Sequence, residues 1–304
     1  MESTLWYGVL APLVGAVITL MNSINSRFSV YVGILVSTLV IHLVGLAAVS
    51  VVLLARRDIA SPVRLPLYYY LGGFVGVGTV FSCMYAFSAL GASLAVALSL
   101  LGQTLFSVTV DATGFLGRRR YPFSARRLPG IGLAVAGVAI MAGSWKAESL
   151  AMLVALASGI CPGLSFVLNS ELGRRKGVFR STRANYLVGL ATIAAVLVAL
   201  RPPLAGAARA VIAAGPVLAL GGGLLGVVVV TAINFLYPRI PAFSATLLLF
   251  SGQALSGVLI DAVAAGAIDV RKLLGSLVLL AGLAIDGLLS RRGSAYGEAG
   301  GRVR

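Results

Sequence analysis

The stretch LLGQTLFSVTVDATG (Leu100–Gly114) sets a glutamine and an aspartate inside an otherwise apolar run. LFSGQALSGVLIDAV (Leu249–Val263) repeats the arrangement with the same spacing, Gly-Gln and then Asp eight residues after the Gln. Polar groups of this kind are rare and costly in apolar segments. On a helix, a separation of eight residues puts the two side chains roughly 12 Å apart along the axis and about 80° apart around it. The Gln therefore falls near mid-segment and the Asp toward one end.

Composition fixes the surroundings of these segments. Apolar residues make up 59% of the 304-residue chain and charged residues only 11%, and the mean hydropathy is +1.00. No soluble domain of this length could bury so much apolar surface. Runs of about 20 apolar residues, the length that crosses a ~30 Å hydrocarbon core as a helix, recur along the whole chain. The sequence predicts an all-α integral membrane protein with ten spans, at about 5–22, 29–55, 66–88, 92–116, 128–145, 149–170, 184–200, 210–236, 242–264 and 272–290. The first run lacks a basic n-region and a small-residue cleavage site, so it reads as a membrane helix rather than a removable signal.

Orientation follows from the basic residues. Eighteen of the 24 Lys and Arg fall on one side of this ten-span arrangement, which should be cytoplasmic. Both termini then lie inside. The net charge of +15 belongs to this topological signal, and nucleic acid is not expected as a partner. Cys83 and Cys161 sit singly in apolar spans and suggest neither a disulfide nor a metal site. With one His and no GxSxG, HExxH or phosphate-cradling motif, the sequence predicts no enzyme, no cofactor, no metal and no nucleotide-driven pump.

The opening pair of segments belongs to a longer repeat. At an offset of 150, Gly102-Gln103 falls on Gly252-Gln253 and Asp111 on Asp261, while Gly72, Gly73 and Gly76 fall on Gly222, Gly223 and Gly226. With small gaps, MNSINSR (Met21–Arg27) meets LNSELGR (Leu168–Arg174), pairing Asn22 with Asn169, and HLVG (His42–Gly45) meets YLVG (Tyr186–Gly189). Five spans per repeat is an odd number, so the second copy inserts upside down relative to the first. The expected units are residues 1–146, residues 147–292 and a disordered cytoplasmic tail at 293–304. An inverted repeat is the architecture with which a carrier alternates access to a midplane site.

The polar residues inside the spans are the site candidates. Gln103 and Gln253 would flank the membrane centre, where a neutral amide can either bind a polar solute or tie one helix to another. Asp111 and Asp261 approach opposite boundaries, where proton coupling or gating competes with helix capping or ion pairing. Asn22, Asn25, Asn169, Asn234, His42 and Tyr85 complete the candidate binding set. Asn22 and Asn25 also read as the end of the first span, and His42 also reads as a neutral packed imidazole. Asp286, a turn from Arg291 and Arg292, reads as a boundary ion pair.

GASLAVALSLLGQTLFSVTVDATG, HLVG and the NSINSR turn, each with its second-half counterpart, resemble the drug/metabolite transporter superfamily, and more narrowly two fused copies of the YdcZ-like five-helix unit. The resemblance covers the chain from the first span to the last. It implies a small-molecule carrier of the bacterial inner membrane, with a central cavity and kinship to small multidrug exporters. Those exporters use a membrane-embedded Glu in their first helix, whereas here the first span has no acid and Glu171 lies at the end of the sixth. A neutral or zwitterionic solute recognised by amides fits better than an organic cation. The expectation is a secondary transporter of a small polar or amphipathic metabolite or drug, by export or proton-coupled exchange. Its partners would be the solute, protons and the lipid bilayer, and it would act as a monomer or homodimer. A non-transporting membrane scaffold and a lipid flippase are the alternatives.

Overall fold

The computed structural model describes residues 2–56, 65–113, 124–142, 149–236, 239 and 242–300. These residues are almost wholly helical, and no strand occurs among them. The first helix, Glu2–Ala55, is 54 residues long, or about 80 Å at 1.5 Å per residue, more than twice a hydrocarbon core. It is broken at Gly33 (φ 78°, ψ 158°), and its arms, 2–32 and 34–55, form α1 and α2. Then follow α3 (Gly72–Leu90), α4 (Ala92–Thr113) and α5 (Leu128–Ala142). The next helix, α6, runs in two pieces, Ser149–Ser158 and Ile160–Lys176, and leads into α7 (Val178–Leu200). The chain closes with α8 (Ala207–Leu236, broken at Gly215), α9 (Ala242–Ala265) and α10 (Val270–Gly300). Among the described residues, six stretches have the length and composition to cross a membrane: Val9–Ala55, Leu67–Leu90, Ser149–Lys176, Val178–Leu200, Pro216–Leu236 and Leu247–Ala265. The shorter Ala92–Phe106 and Leu128–Ala142 are also apolar.

Two helix boundaries differ from the sequence reading for one reason. α1 joins α2 through Gly33, and α6 joins α7 through Gly177 (φ 92°, ψ 147°). This is a backbone region that side-chain-bearing residues avoid. A single glycine redirects the chain there, so no polar loop is needed. The helices run through the segments where turns were expected. Asn22 and Asn25 lie within α1, Arg174–Lys176 form the last turn of α6, and Arg180 and Arg183 lie in the first two turns of α7. α10 is likewise helical to Gly300, through part of the expected tail.

The two repeats interlock. The α1 and α2 arms pack on α7, α8 and α9; α3 packs on α6 and α7; α4 packs on α6 and α9; and α5 pairs with α10. Contacts recur at the repeat offsets. A Cβ at Gly102 would overlap the carbonyl oxygen of Leu156, and one at Gly159 would overlap that of Ser99. The counterparts are Gly252 against the carbonyl of Pro12 and Gly15 against that of Leu249. α4 therefore crosses α6 as α9 crosses α1, backbone against backbone, the close approach that small residues allow within a membrane. α5 and α10 meet in the same way through Gly130 and Gly137 on one side and Gly275 and Gly282 on the other.

Around these crossings lies the main core, with Ala97, Leu100, Ala155, Ile233, Leu249 and Ala254 among its buried residues. Large apolar side chains face outward instead, as lipid contact requires: Val30 is 73% exposed, Leu54 78% and Val198 73%. The side chains of Arg291 and Arg292 lie outside the described residues, and Asp286 on α10 has its described partner outside its own helix. The Arg127 guanidinium, just ahead of α5, grips it with two hydrogen bonds, Nε to Oδ1 at 2.7 Å and Nη2 to Oδ2 at 2.8 Å. The pair is nearly buried and ties the two repeats together at the end of the α5–α10 crossing.

Candidate functional site

The candidates divide into sealed and open groups. Asn169 on α6 is buried. Its Nδ2 donates to Asn185 Oδ1 at 2.9 Å and to Ser165 Oγ at 3.1 Å, and Ser165 Oγ donates to the carbonyl of Gly72. Ser181 Oγ donates to the Asn169 carbonyl at 2.7 Å. The Asn169 amide occupies the space a side chain at Gly72 would take. Asn25 holds the matching place in the first repeat, with its Oδ1 where a Gly222 side chain would stand. The counterpart of Asn169 is therefore Asn25, 144 residues back, and not Asn22. A gapped sequence match over two Asn-Ser pairs cannot distinguish these registers, whereas packing does. Residues 41 and 21, the counterparts of Asn185 and Ser165 at that offset, are Ile and Met. The acceptors that serve Asn169 Nδ2 thus have no counterpart in the first repeat, and the buried Asn25 Oδ1 also has no hydrogen-bonding partner among the described residues.

His42 and Tyr186 form a second matched pair. His42 Nδ1–H donates to the Thr38 carbonyl at 2.8 Å; a carbonyl only accepts, which fixes the proton on Nδ1. The imidazole fills the space over Gly189 and meets the Tyr186 ring edge-on at 5.8 Å, while Tyr186 fills the space over Gly45. Both are buried, and they set the α2–α7 crossing. Asn234 on α8 is buried as well and donates to Thr182 Oγ1 at 3.4 Å. Asn22 is half-buried on α1, and Tyr85 on α3 is 38% exposed.

Asp261 is held from three sides. Its carboxylate accepts from the backbone N–H of Ala92 (2.8 Å) and Ser93 (3.2 Å), from the Ser93 hydroxyl, and from Lys272 Nζ at 2.8 Å. It thus caps α4, whose first N–H groups have no partner within the helix, from the end of α9. Lys272 at the start of α10 balances its charge. The Asp111 side chain lies outside the described residues. The sequence reading missed Asn185, Ser93, Lys272 and Arg127 as partners. Lys272, 11 residues after Asp261 across a short turn, gave the one available signal.

Gln103 and Gln253 are different. Each directly follows the glycine at which its helix crosses a neighbour, so each side chain starts from the tightest point of the α4–α6 or α9–α1 contact. Both side chains are half-buried, and among the described residues neither amide group has a hydrogen-bonding partner. The two positions are not identical. The methylene stem of Gln103 lies over Gly163, beside the break in α6. At the position of Gly163 the first repeat carries Thr19, whose hydroxyl donates to the Gln253 backbone carbonyl at 3.1 Å. Glu171 holds Arg174 and Arg175 in hydrogen-bonded ion pairs of 2.7–3.0 Å at the end of α6, away from these amides. Among the described residues no cluster of His, Cys, Asp or Glu could hold a metal ion.

An all-α membrane protein built from two matched, interlocking sets of helices, with polar amides at symmetric crossings, has the make-up of a drug/metabolite transporter. The family model described as "Putative inner membrane exporter, YdcZ" matches the chain twice, at residues 6–140 and 150–285. The chain belongs to that family and carries two copies of its unit. A solved crystal structure 21% identical in sequence, covering 96% of this chain and 99% of its own, superposes with a TM-score of 0.60 and shares the fold. Among curated proteins, none matches.

Proposed function

We propose that the protein is a secondary transporter that exports or exchanges a small polar or amphipathic solute across the bacterial inner membrane by alternating access. The observation that carries this reading is the state of Gln103 and Gln253. An unpartnered amide in an apolar interior costs free energy; Asn169 and His42 spend their hydrogen bonds on helix packing, and the unpartnered Oδ1 atoms of Asn25 and Asn234 are sealed in the core, whereas both glutamine amides are only half-buried. Two amides kept free at matched crossings fit a site that receives its partner from outside. Their neutral, two-way hydrogen bonding suits a neutral or zwitterionic solute, and Glu171, engaged by two arginines, offers no free carboxylate for an organic cation. Because the repeats interlock, access would alternate through shifts at the glycine crossings rather than by separation of two independent bundles. Asp261 serves in this account as a fastener holding the start of α4 to α9 and α10, and a change of its Lys272 pairing would gate that end.

Protein reconstituted in vesicles and screened against a panel of small polar metabolites, with internal pH recorded, tests the reading. The Gln103→Ala/Gln253→Ala variant should lose transport of any solute the native protein moves. Native-level transport by a folded double variant would remove the site assignment.

A further inference from the structure

A cavity separate from the glutamines opens between α2 and α7. It holds about 220 Å³ and is lined by Ser50, Leu53, Leu54, Arg180 and Arg183. Its composition is divided: α7 brings two guanidinium groups, and α2 brings a hydroxyl and two leucine side chains. Arg56, at the end of α2, stacks its guanidinium 4.8 Å over the Phe179 ring, adding a third positive group at the same corner. Among the described residues no carboxylate lines the cavity. Glu171, on the neighbouring end of α6, is already engaged by Arg174 and Arg175. From the cavity an exposed apolar surface runs on along the same two helices, with Val51 64% and Leu54 78% exposed on α2 and Leu187 51% exposed on α7.

We propose that this cavity binds the phosphodiester headgroup of an anionic phospholipid, with Arg180 and Arg183 on the phosphate and the acyl chains against Val51, Leu54 and Leu187. A guanidinium pair matches phosphate oxygens in charge and hydrogen-bonding geometry. A basic cavity between helices, at the level where spans end, is where a lipid offers its phosphate. Arg180 is already held by contacts within the protein, so it is partly positioned before a lipid arrives, while Arg183 is exposed and reaches outward. The leaflet concerned is the cytoplasmic one if the Lys/Arg asymmetry sets the orientation. The site itself does not depend on that orientation or on the transport reading.

The test uses the full chain purified in mild detergent. Thermal stability and lipid adducts in native mass spectrometry are measured with added phosphatidylglycerol, phosphatidylcholine or inorganic phosphate. Phosphatidylglycerol should raise the unfolding midpoint and leave a bound adduct at concentrations where the other two do neither. Arg180→Ala/Arg183→Ala should weaken that effect about 30-fold, from roughly a fivefold loss per arginine. Arg201→Ala/Arg209→Ala, which removes equal charge elsewhere, should leave it intact. If the double variant at the cavity fails to fold, Arg183→Ala alone, at an exposed position, reads the same loss in part. An equal response to phosphatidylcholine, or an undiminished phosphatidylglycerol response in the cavity variants, overturns the proposal. An equal response to inorganic phosphate assigns the cavity to a soluble anion and overturns the lipid.

Discussion

Replacing Gly102 by Ala is the sharpest perturbation of the helix crossings. The added methyl would land far inside van der Waals contact distance of the Leu156 carbonyl oxygen. That atom belongs to backbone, so no side chain can rotate away and α4 must move off α6. Overpacking of this kind costs about 1–3 kcal/mol. Gly132 on α5 provides the control, because a Cβ there meets nothing within 4 Å. Gly132→Ala should be neutral or gain up to about 1 kcal/mol from helix propensity. The expected contrast is therefore about 1–4 kcal/mol, seen as a midpoint several degrees lower for Gly102→Ala. Thermal denaturation in detergent, followed by size-exclusion chromatography of the surviving protein, reads it. Gly252→Ala, against the Pro12 carbonyl, should behave like Gly102→Ala. If Gly102→Ala and Gly132→Ala melt together, the backbone-to-backbone crossing is wrong, and with it the placement of the Gln that follows.

Two further substitutions probe the fasteners between the repeats. Asp286→Ala removes both charge-assisted hydrogen bonds from the nearly buried Arg127 guanidinium and should destabilise by about 3 kcal/mol. Arg127→Met/Asp286→Leu, which removes both charges, should recover most of that loss in the same melting assay. Asp261→Asn weakens the α4 cap and its charge-assisted bonds and should cost about 2 kcal/mol. Any solute-driven proton movement should persist in that variant, and loss of proton movement with stability unchanged would shift Asp261 from fastener to coupling group.

The membrane class, most spans and the tandem repeat are legible because apolar length and ordered small-residue matches survive in sequence. The α1–α2 and α6–α7 corners are not, because a lone glycine at position 33 or 177 does what a polar loop was expected to do, and Asn22, Arg174 and Arg180 become helical residues. The Asn25–Asn169 equivalence was hidden by two Asn-Ser pairs three residues apart in α1, and only the matched contacts at Gly222 and Gly72 select between them. Residue type singled out the buried amides and His42, but it could not separate Asn169, whose hydrogen bonds are spent on Ser165 and Asn185, from Gln103 and Gln253. That distinction depends on which side chains lie opposite: the partners of Asn169 come from α6 and α7 of its own repeat, whereas the helices that cross at the glutamines come from the other repeat. Asp286 shows the same limit, since its partner Arg127 is far away in sequence and adjacent arginines were the visible choice.

The central claim is that Gln103 and Gln253 face a space that solute and water reach, while Asn169 does not. Cysteine placed singly at each position, in a Cys83→Ala/Cys161→Ala background, can be challenged in membranes with small hydrophilic thiol reagents. The account predicts labelling at positions 103 and 253 and protection at 169. Protection at both glutamine positions, equal to that at 169, would contradict it.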